Sequence, residues 1–273
     1  MTSTANSTGR PLALITGASA GIGRAYAERL ASDGYDLVVV ARRAERLDEL
    51  KRQLESGHGV SVQPIVADLS TESGRRAVDA VATQPRLEFV VDSAALAYYM
   101  PFLDLTPDKA DELVNLNVLA PVHMIHAALP GMVERGKGTV VSFSSLLAYS
   151  AVSENPQLPK RAVYAASKAF LLAFFKLLAV ELRETGVKVQ IVCPGVVKTE
   201  FHTRQNMDMS GRPRLEPEEV VKASMIGIER GEVVCIPTLE ETDRLQHRDQ
   251  AEAEILAGGM RPALAQRYLT GVP

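Results

Sequence analysis

The sequence predicts an α/β fold, a doubly wound parallel sheet of about seven strands with helices on both faces. Three observations predict it. Short Val- and Ile-rich runs alternate with longer helical patterns from one end of the chain to the other. Several of the short runs are continuously apolar, as strands covered on both faces must be. A glycine-rich loop joins the first strand to the first helix, where an open parallel sheet meets a ligand.

In order, the strands are expected at 12–16 (LALIT), 36–41 (DLVVVA), 60–67 (VSVQPIVA), 87–92 (LEFVVD), 138–144 (GTVVSFS), 187–193 (VKVQIVC) and 232–237 (EVVCIP). Helical patterns fill 22–33, 43–56, 71–83, 107–134, 162–185 and 217–230. Repeated strand–helix–strand order implies right-handed crossovers and a parallel sheet. No composition shift or linker divides the chain, so 11–273 is expected to form one domain. It follows a flexible polar lead-in at 1–10 that lacks the apolar segment of a secretory signal. Within the domain, the polar segment 200–216 suits a mobile lid or a plain connection, and 240–273 reads as a charged helical tail.

Composition narrows the function. A net charge of −3 gives no electrostatic reason to expect nucleic acid. No uninterrupted apolar stretch approaches the roughly 18 residues of a membrane span, so no membrane partner is expected. Cys193 and Cys235 sit in apolar, strand-like runs and read as small core residues of a reduced, cytoplasmic protein. His123, His126 and His202 have no paired ligand spacing, and no metal is expected.

The loop after the first strand spaces its glycines as Gly17-x-x-x-Gly21-x-Gly23. Glycines there permit a tight turn and close backbone approach to a pyrophosphate at the positive end of the next helix. Gly17, Ser19, Ala20, Gly21, Ile22 and Gly23 are therefore the first candidate cofactor contacts. Enzymes that take NAD place an acid about 20 residues beyond this loop, on the ribose diol. Here the second strand ends Ala41-Arg42-Arg43, with no acid. A carboxylate would repel a 2′-phosphate and guanidinium groups would grip it, so NADP(H) is expected over NAD(H). The competing reading makes Arg42 and Arg43 the start of a charge ladder on a solvated helix. Arg24 is either a second phosphate contact or a surface residue. Asp68, followed by Leu69, is placed to accept from the adenine amino group or to cap the helix near Thr71.

Tyr164 and Lys168 stand four apart at the start of a strong helix and share one face. Tyrosine, with a pKa near 10, is a poor acid or base at neutral pH. A cation beside it lowers that value toward a useful range. Ser145 ends the fifth strand at the edge where such sheets bind ligands. Asn117 lies in a long apolar helix, four residues before Pro121. Proline donates no hydrogen bond to the carbonyl at i−4, which leaves the Asn117 carbonyl free to hold a water.

Read in order, TGASAGIG, NLNVLAP, VVSFSS, YAASK and PGVVKT resemble the short-chain dehydrogenase/reductase family over about residues 11–237. The resemblance implies a Rossmann-like fold with Tyr164 as general acid/base. It implies that Lys168 lowers the Tyr164 pKa and binds the nicotinamide ribose, and that Ser145, rather than Ser144, orients the substrate oxygen. Asn117 would hold the water that links Lys168 to a proton relay. Pro194, Gly195, Val197 and Thr199 match the segment beside the nicotinamide, with Thr199 on its carboxamide and Ala94 a further cofactor contact. The implied reaction is NADPH-dependent reduction of a ketone or aldehyde, with a small-molecule carbonyl or alcohol as substrate. The 162–185 helix is apolar almost all round, and the resemblance implies a homodimer or homotetramer packed through it.

Two departures stand against this pattern. Asp92-Ser93-Ala94-Ala95 replaces the usual Asn-Asn-Ala-Gly, adding a methyl at Ala95 and a carboxylate at Asp92. The interval from Ser145 to Tyr164 is also longer than the family's, through an insertion near SENPQLPK that is either a tolerated surface loop or a rim of the substrate entrance. Two other functions stay open: a cofactor-binding sensor or scaffold without turnover, and the same site applied to imine reduction or epimerisation.

Overall fold

In the computed structural model, which describes residues 9–269, the first strand sets the pattern for the sheet. On β1 (Leu12–Thr16), Leu12 and Leu14 join one apolar core while Ala13 and Ile15 join the other. Side chains alternate between faces and both sets are apolar, as a strand buried on both sides requires. The remaining strands are β2 (Asp36–Ala41), β3 (Val62–Val66), β4 (Leu87–Asp92), β5 (Gly138–Phe143), β6 (Val187–Val192) and β7 (Val234–Cys235). All pair in parallel, in the order β3-β2-β1-β4-β5-β6-β7. The order reverses between β1 and β4, and the carboxyl ends of these two strands open the crevice in which such sheets bind ligands.

The helices are α1 (Gly21–Ser32), α2 (Ala44–His58), α3 (Glu72–Ala82), α4 (Pro107–Val114), α5 (Ala120–Arg135), α6 (Ala162–Glu181), α7 (Glu200–Thr203), α8 (Pro217–Glu229) and α9 (Asp243–Gly259). One face of the sheet is covered by α1, α2 and α8 through residues such as Tyr26, Leu30, Leu50 and Val220. The other is covered by α3, α5 and α6 through Val78, Ile125, Met132, Leu171 and Phe175. The doubly wound fold read from the sequence is the fold observed.

Several boundaries differ from expectation. The helix expected over 107–134 is divided by a π turn at Asn115–Leu119, where the Ala120 N–H reaches back to the Asn115 carbonyl. Pro121 has no N–H to continue the ordinary ladder, so the backbone widens just before it. The last strand shrinks to Val234–Cys235 because only Ile191 and Val192 pair with it. The single domain expected over 11–273 is corrected to two compact units, one ending at Pro237 and the other beginning at Thr238. In the second unit, α9 buries none of its residues. Its sequence lacks the repeating apolar stripe that anchors the helices of the first unit. Residues 1–8 of the expected lead-in and 270–273 of the tail lie outside the described residues.

Among the described residues, two helical stretches, Pro107–Arg135 and Ala162–Glu181, are long and apolar enough to cross a membrane by length and composition, a property that scanning for uninterrupted apolar runs does not register. Both place part of that apolar surface in the core against the sheet.

Candidate active site

The crevice at the β1/β4 switch is a cavity of about 600 Å³. Its floor at one end is the glycine loop. Gly17 has φ +68°, and a Cβ there would lie 2.8 Å from the Ser93 carbonyl group. A side chain at Gly23 would fall 2.5 Å from the Gly17 oxygen. The loop therefore has to be backbone at both points, packed on itself and on the segment after β4. No side chain caps the start of α1, whose N-cap is Ala20. Its first-turn N–H groups are left for an anion. Gly17, Ser19, Ala20, Gly21 and Ile22 line the cavity, whereas Gly23 is buried behind it.

Beyond the loop, the wall passes Arg42, Arg43, Asp68 and Leu69. The nearest acidic oxygens to Arg42, on Asp68 and Glu112, lie 3.8 and 3.9 Å away. Arg43 is engaged: it donates to Glu200 Oε2 at 2.9 Å and to Ser19 Oγ at 2.9 Å. Arg24 is a surface residue, paired with Glu28 and Gln53. Thr71 caps α3, accepting from the Gly74 N–H, while Asp68 accepts from Ser70. Asp68 is thus part of the turn before α3 rather than its cap.

At the other end, α6 starts just after the insertion and carries Tyr164 and Lys168 into the cavity on one face. The Tyr164 hydroxyl lies near the hydroxyls of Ser145 and Tyr99, each of which favours its ionised form, and its ring meets the Tyr99 ring edge-on at 5.4 Å. Burial pushes it up to about 12, against the lowering effect of those two donors. Lys168 Nζ lies 5.8 Å from the Tyr164 ring centre and donates to the Phe143 carbonyl at 2.8 Å. Burial pulls its ammonium down to about 8, opposed by the carboxylate of Asp92. Ser144 and Ser145 separate clearly. Ser144 Oγ turns inward to the Lys168 carbonyl at 2.7 Å, and Ser145 Oγ accepts from the Leu147 N–H at 3.1 Å beside the cavity. Asn117 does not line the cavity. Its amide clamps the Leu96 backbone, at 3.1 and 2.9 Å, and donates to Ser167 Oγ at 3.2 Å. Pro194, Gly195, Val197 and Thr199 form the wall after β6, and Ala94 the wall after β4.

Both departures acquire a physical account. Asp92 is buried and accepts from Ser142 Oγ at 2.7 Å and from Thr16 Oγ1 at 3.2 Å, tying β4 to both neighbouring strands. Burial raises its carboxyl, while Ser142, the Lys168 ammonium and Thr16 hold it down. Ala95 lines the cavity. The insertion contributes Gln157, Leu158 and Pro159 to the wall, and the segment after Thr199 contributes Glu200, Phe201, Met207 and Met209. Sequence reading missed Tyr99 and Glu200. The Tyr98-Tyr99 pair just past the fourth strand was the available signal for the first, and the acid directly after Thr199 for the second.

These features fit a dinucleotide. The helix start is uncapped, the loop admits no side chain at its closest approaches, and one continuous cavity runs from Arg42 to Tyr164.

Comparison with known proteins agrees. The family model for short chain dehydrogenases matches residues 11–210. A short-chain dehydrogenase from Sphingobium yanoikuyae in complex with NADPH superimposes with a TM-score of 0.89 at 34% identity, covering 94% of this chain and 99% of its own. The bulky-bulky ketone specific alcohol dehydrogenase from Comamonas testosteroni gives 0.85 at 32%, covering 96% and 100%. The human inactive hydroxysteroid dehydrogenase-like protein 1 is 35% identical over 71% of this chain. The chain spans 58% of that relative's length, a little over half. The human dehydrogenase/reductase SDR family member 4 is 33% identical over 78% of this chain and 73% of its own. The chain belongs to the short-chain dehydrogenase/reductase family.

Proposed function

We propose that the protein is an NADP(H)-dependent ketoreductase that interconverts a small-molecule carbonyl compound and its alcohol. The observation that carries this reading is that Tyr164, Ser145, Tyr99 and Lys168 meet at one end of the cleft, with Lys168 Nζ 5.8 Å from the Tyr164 ring centre. Bound NADP(H) would supply hydride in reduction and take it up in oxidation. The α1 N-terminus and the Gly17 loop would hold the pyrophosphate, Arg42 and Arg43 the 2′-phosphate, and Thr199 the carboxamide. Raised to about 12, Tyr164 keeps its proton at neutral pH. It is therefore an acid ready to protonate the substrate oxygen as that oxygen gains negative charge. Ser145 would orient the same oxygen, and preorganised donors of this kind need no reorganisation when charge develops. Lys168 stabilises the phenolate that remains, and a water held on the Asn117 backbone carbonyl, left free by Pro121, would lead a proton back.

The insertion and the segment after Thr199 bring Leu158, Phe201, Met207 and Met209 to the wall together with Gln157 and His202, and Tyr99 and Leu147 add to its apolar part. That lining supports a bulky ketone, in keeping with the named specificity of the Comamonas enzyme. Exposed Phe170, Leu177 and Val180 on α6 support a homo-oligomer packed through that helix. The buried thiols of Cys193 and Cys235 support a cytoplasmic setting. Likeness to a relative named inactive favours a second reading, cofactor binding without turnover.

One experiment separates them. NADPH and NADH binding is measured, and NADPH consumption is then followed with a panel of ketones for wild type and Tyr164→Phe. The expected result is NADPH-preferring turnover that falls about 10²- to 10⁴-fold in Tyr164→Phe. Tight binding with no turnover on any ketone supports the second reading. Turnover indifferent to Tyr164→Phe refutes the assigned mechanism.

A further inference from the structure

We propose that Glu200 is a specificity-determining residue, a built-in rival anion that competes with the 2′-phosphate of NADP(H) for Arg43. The inference rests on the NADP(H) reading above and sharpens it.

Glu200 directly follows Thr199, on the wall of the cleft contributed by the segment after β6. Arg43 lies at the opposite end of the chain's logic, as the N-cap of α2 just past β2. The carboxylate of Glu200 accepts from Arg43 at 2.9 Å, from Arg204 at 2.6 Å and from Arg46. These three guanidiniums, Arg46 foremost, hold its carboxyl down at about 2, so it is an anion at any working pH. The second amino group of Arg43 is fixed on Ser19 Oγ, in the glycine loop. Arg43 is thereby aimed into the cleft, with an anionic oxygen already on it.

Arg42 differs. Among the described residues, no acidic oxygen lies within hydrogen-bond distance of it, and its side chain is 54% exposed. A 2′-phosphate therefore meets Arg42 directly, whereas at Arg43 it competes with Glu200 for a guanidinium already paired to an anion. A phosphate carries about −1.5 to −2 charges and three acceptor oxygens, so it wins that exchange against a single carboxylate. The exchange still subtracts the Arg43–Glu200 pair from the gain. A cofactor without the phosphate leaves the pair intact. Glu200 therefore narrows the preference for NADP(H), while Arg46 and Arg204 keep its carboxylate in place.

The test uses 2′,5′-ADP and 5′-AMP, which differ only in the 2′-phosphate, and reads binding by calorimetry rather than turnover. Relative to wild type, Glu200→Gln should bind 2′,5′-ADP about fivefold more tightly, the worth of one partly exposed ion pair. Binding of 5′-AMP should not change. In an Arg43→Ala background, Glu200→Gln should have no effect on either ligand, and thermal unfolding checks that each variant is folded. Unchanged or weaker 2′,5′-ADP binding in Glu200→Gln overturns the proposal. So does an equal gain for 5′-AMP, or a gain that persists without Arg43. A wild type that does not prefer 2′,5′-ADP to 5′-AMP overturns the NADP(H) reading itself. A wild-type preference with a silent Glu200→Gln overturns the Glu200 proposal alone.

Discussion

At the arginine-lined end of the cleft, the side chains of Arg43 and Glu200 keep 32% and 42% of their exposure. At the reacting end, Tyr164 and Lys168 keep 5% and 2%. The same cavity thus joins a wet, charged rim to a dry floor. On the rim, water screens each ion pair and anions are exchanged at low cost. On the floor, desolvation pushes Tyr164 up and Lys168 down, toward their neutral forms. Recognition of a charged cofactor suits the first setting. Proton transfer suits the second, where a neighbouring charge acts at full strength.

Four measurements break or sharpen that contrast. The largest effect is the loss of about 10²- to 10⁴-fold in turnover for Tyr164→Phe, with cofactor binding retained. Next is Asp92→Asn. The Asp92 carboxylate favours the protonated form of Lys168, so its removal lowers the Lys168 midpoint further below about 8. The alkaline decline of the reduction rate should then begin about one pH unit earlier. An unmoved pH profile would show that Asp92 only ties the strands together.

Tyr99→Phe comes third. It removes one donor to the Tyr164 hydroxyl, which rises further, so the pH limb of alcohol oxidation should shift upward. The rate cost of one neutral hydrogen bond is about fivefold. A change in substrate affinity with no shift of the limb would assign Tyr99 to the pocket wall alone.

The smallest effect belongs to the rim. Glu200 is held at about 2, below its ordinary 4.5, so its pairing stabilises the fold above about pH 4.5. That contribution fades as pH falls toward 2. Given its exposure, screening limits it to less than about 1 kcal/mol. Unfolding midpoints of wild type and Glu200→Gln should converge on acidification from pH 6 to 2.5. A gap that stays constant would mean the pair adds nothing to the fold.

Local spacing made much of this legible in the sequence. Strand and helix periods are set by backbone geometry within a few residues, so the doubly wound sheet could be read directly. The glycine loop, the Tyr164–Lys168 pair one turn apart, and the arginines closing the second strand are short-range features as well. Even the break in the long helix follows from Pro121 lacking an N–H. Tertiary structure alone decided the partners. The Tyr99 hydroxyl meets Tyr164, Asn117 meets Ser167, Asp92 meets Thr16 and Ser142, and Glu200 meets Arg43 across 157 positions of chain. Those pairings depend on which strands are neighbours and on how the later segments fold back over the β1/β4 crevice. No periodicity encodes such contacts. The sequence by itself determined the frame and the reactive residue types, while burial and long-range pairing set which hydroxyl faces the cleft and which arginine already holds an anion.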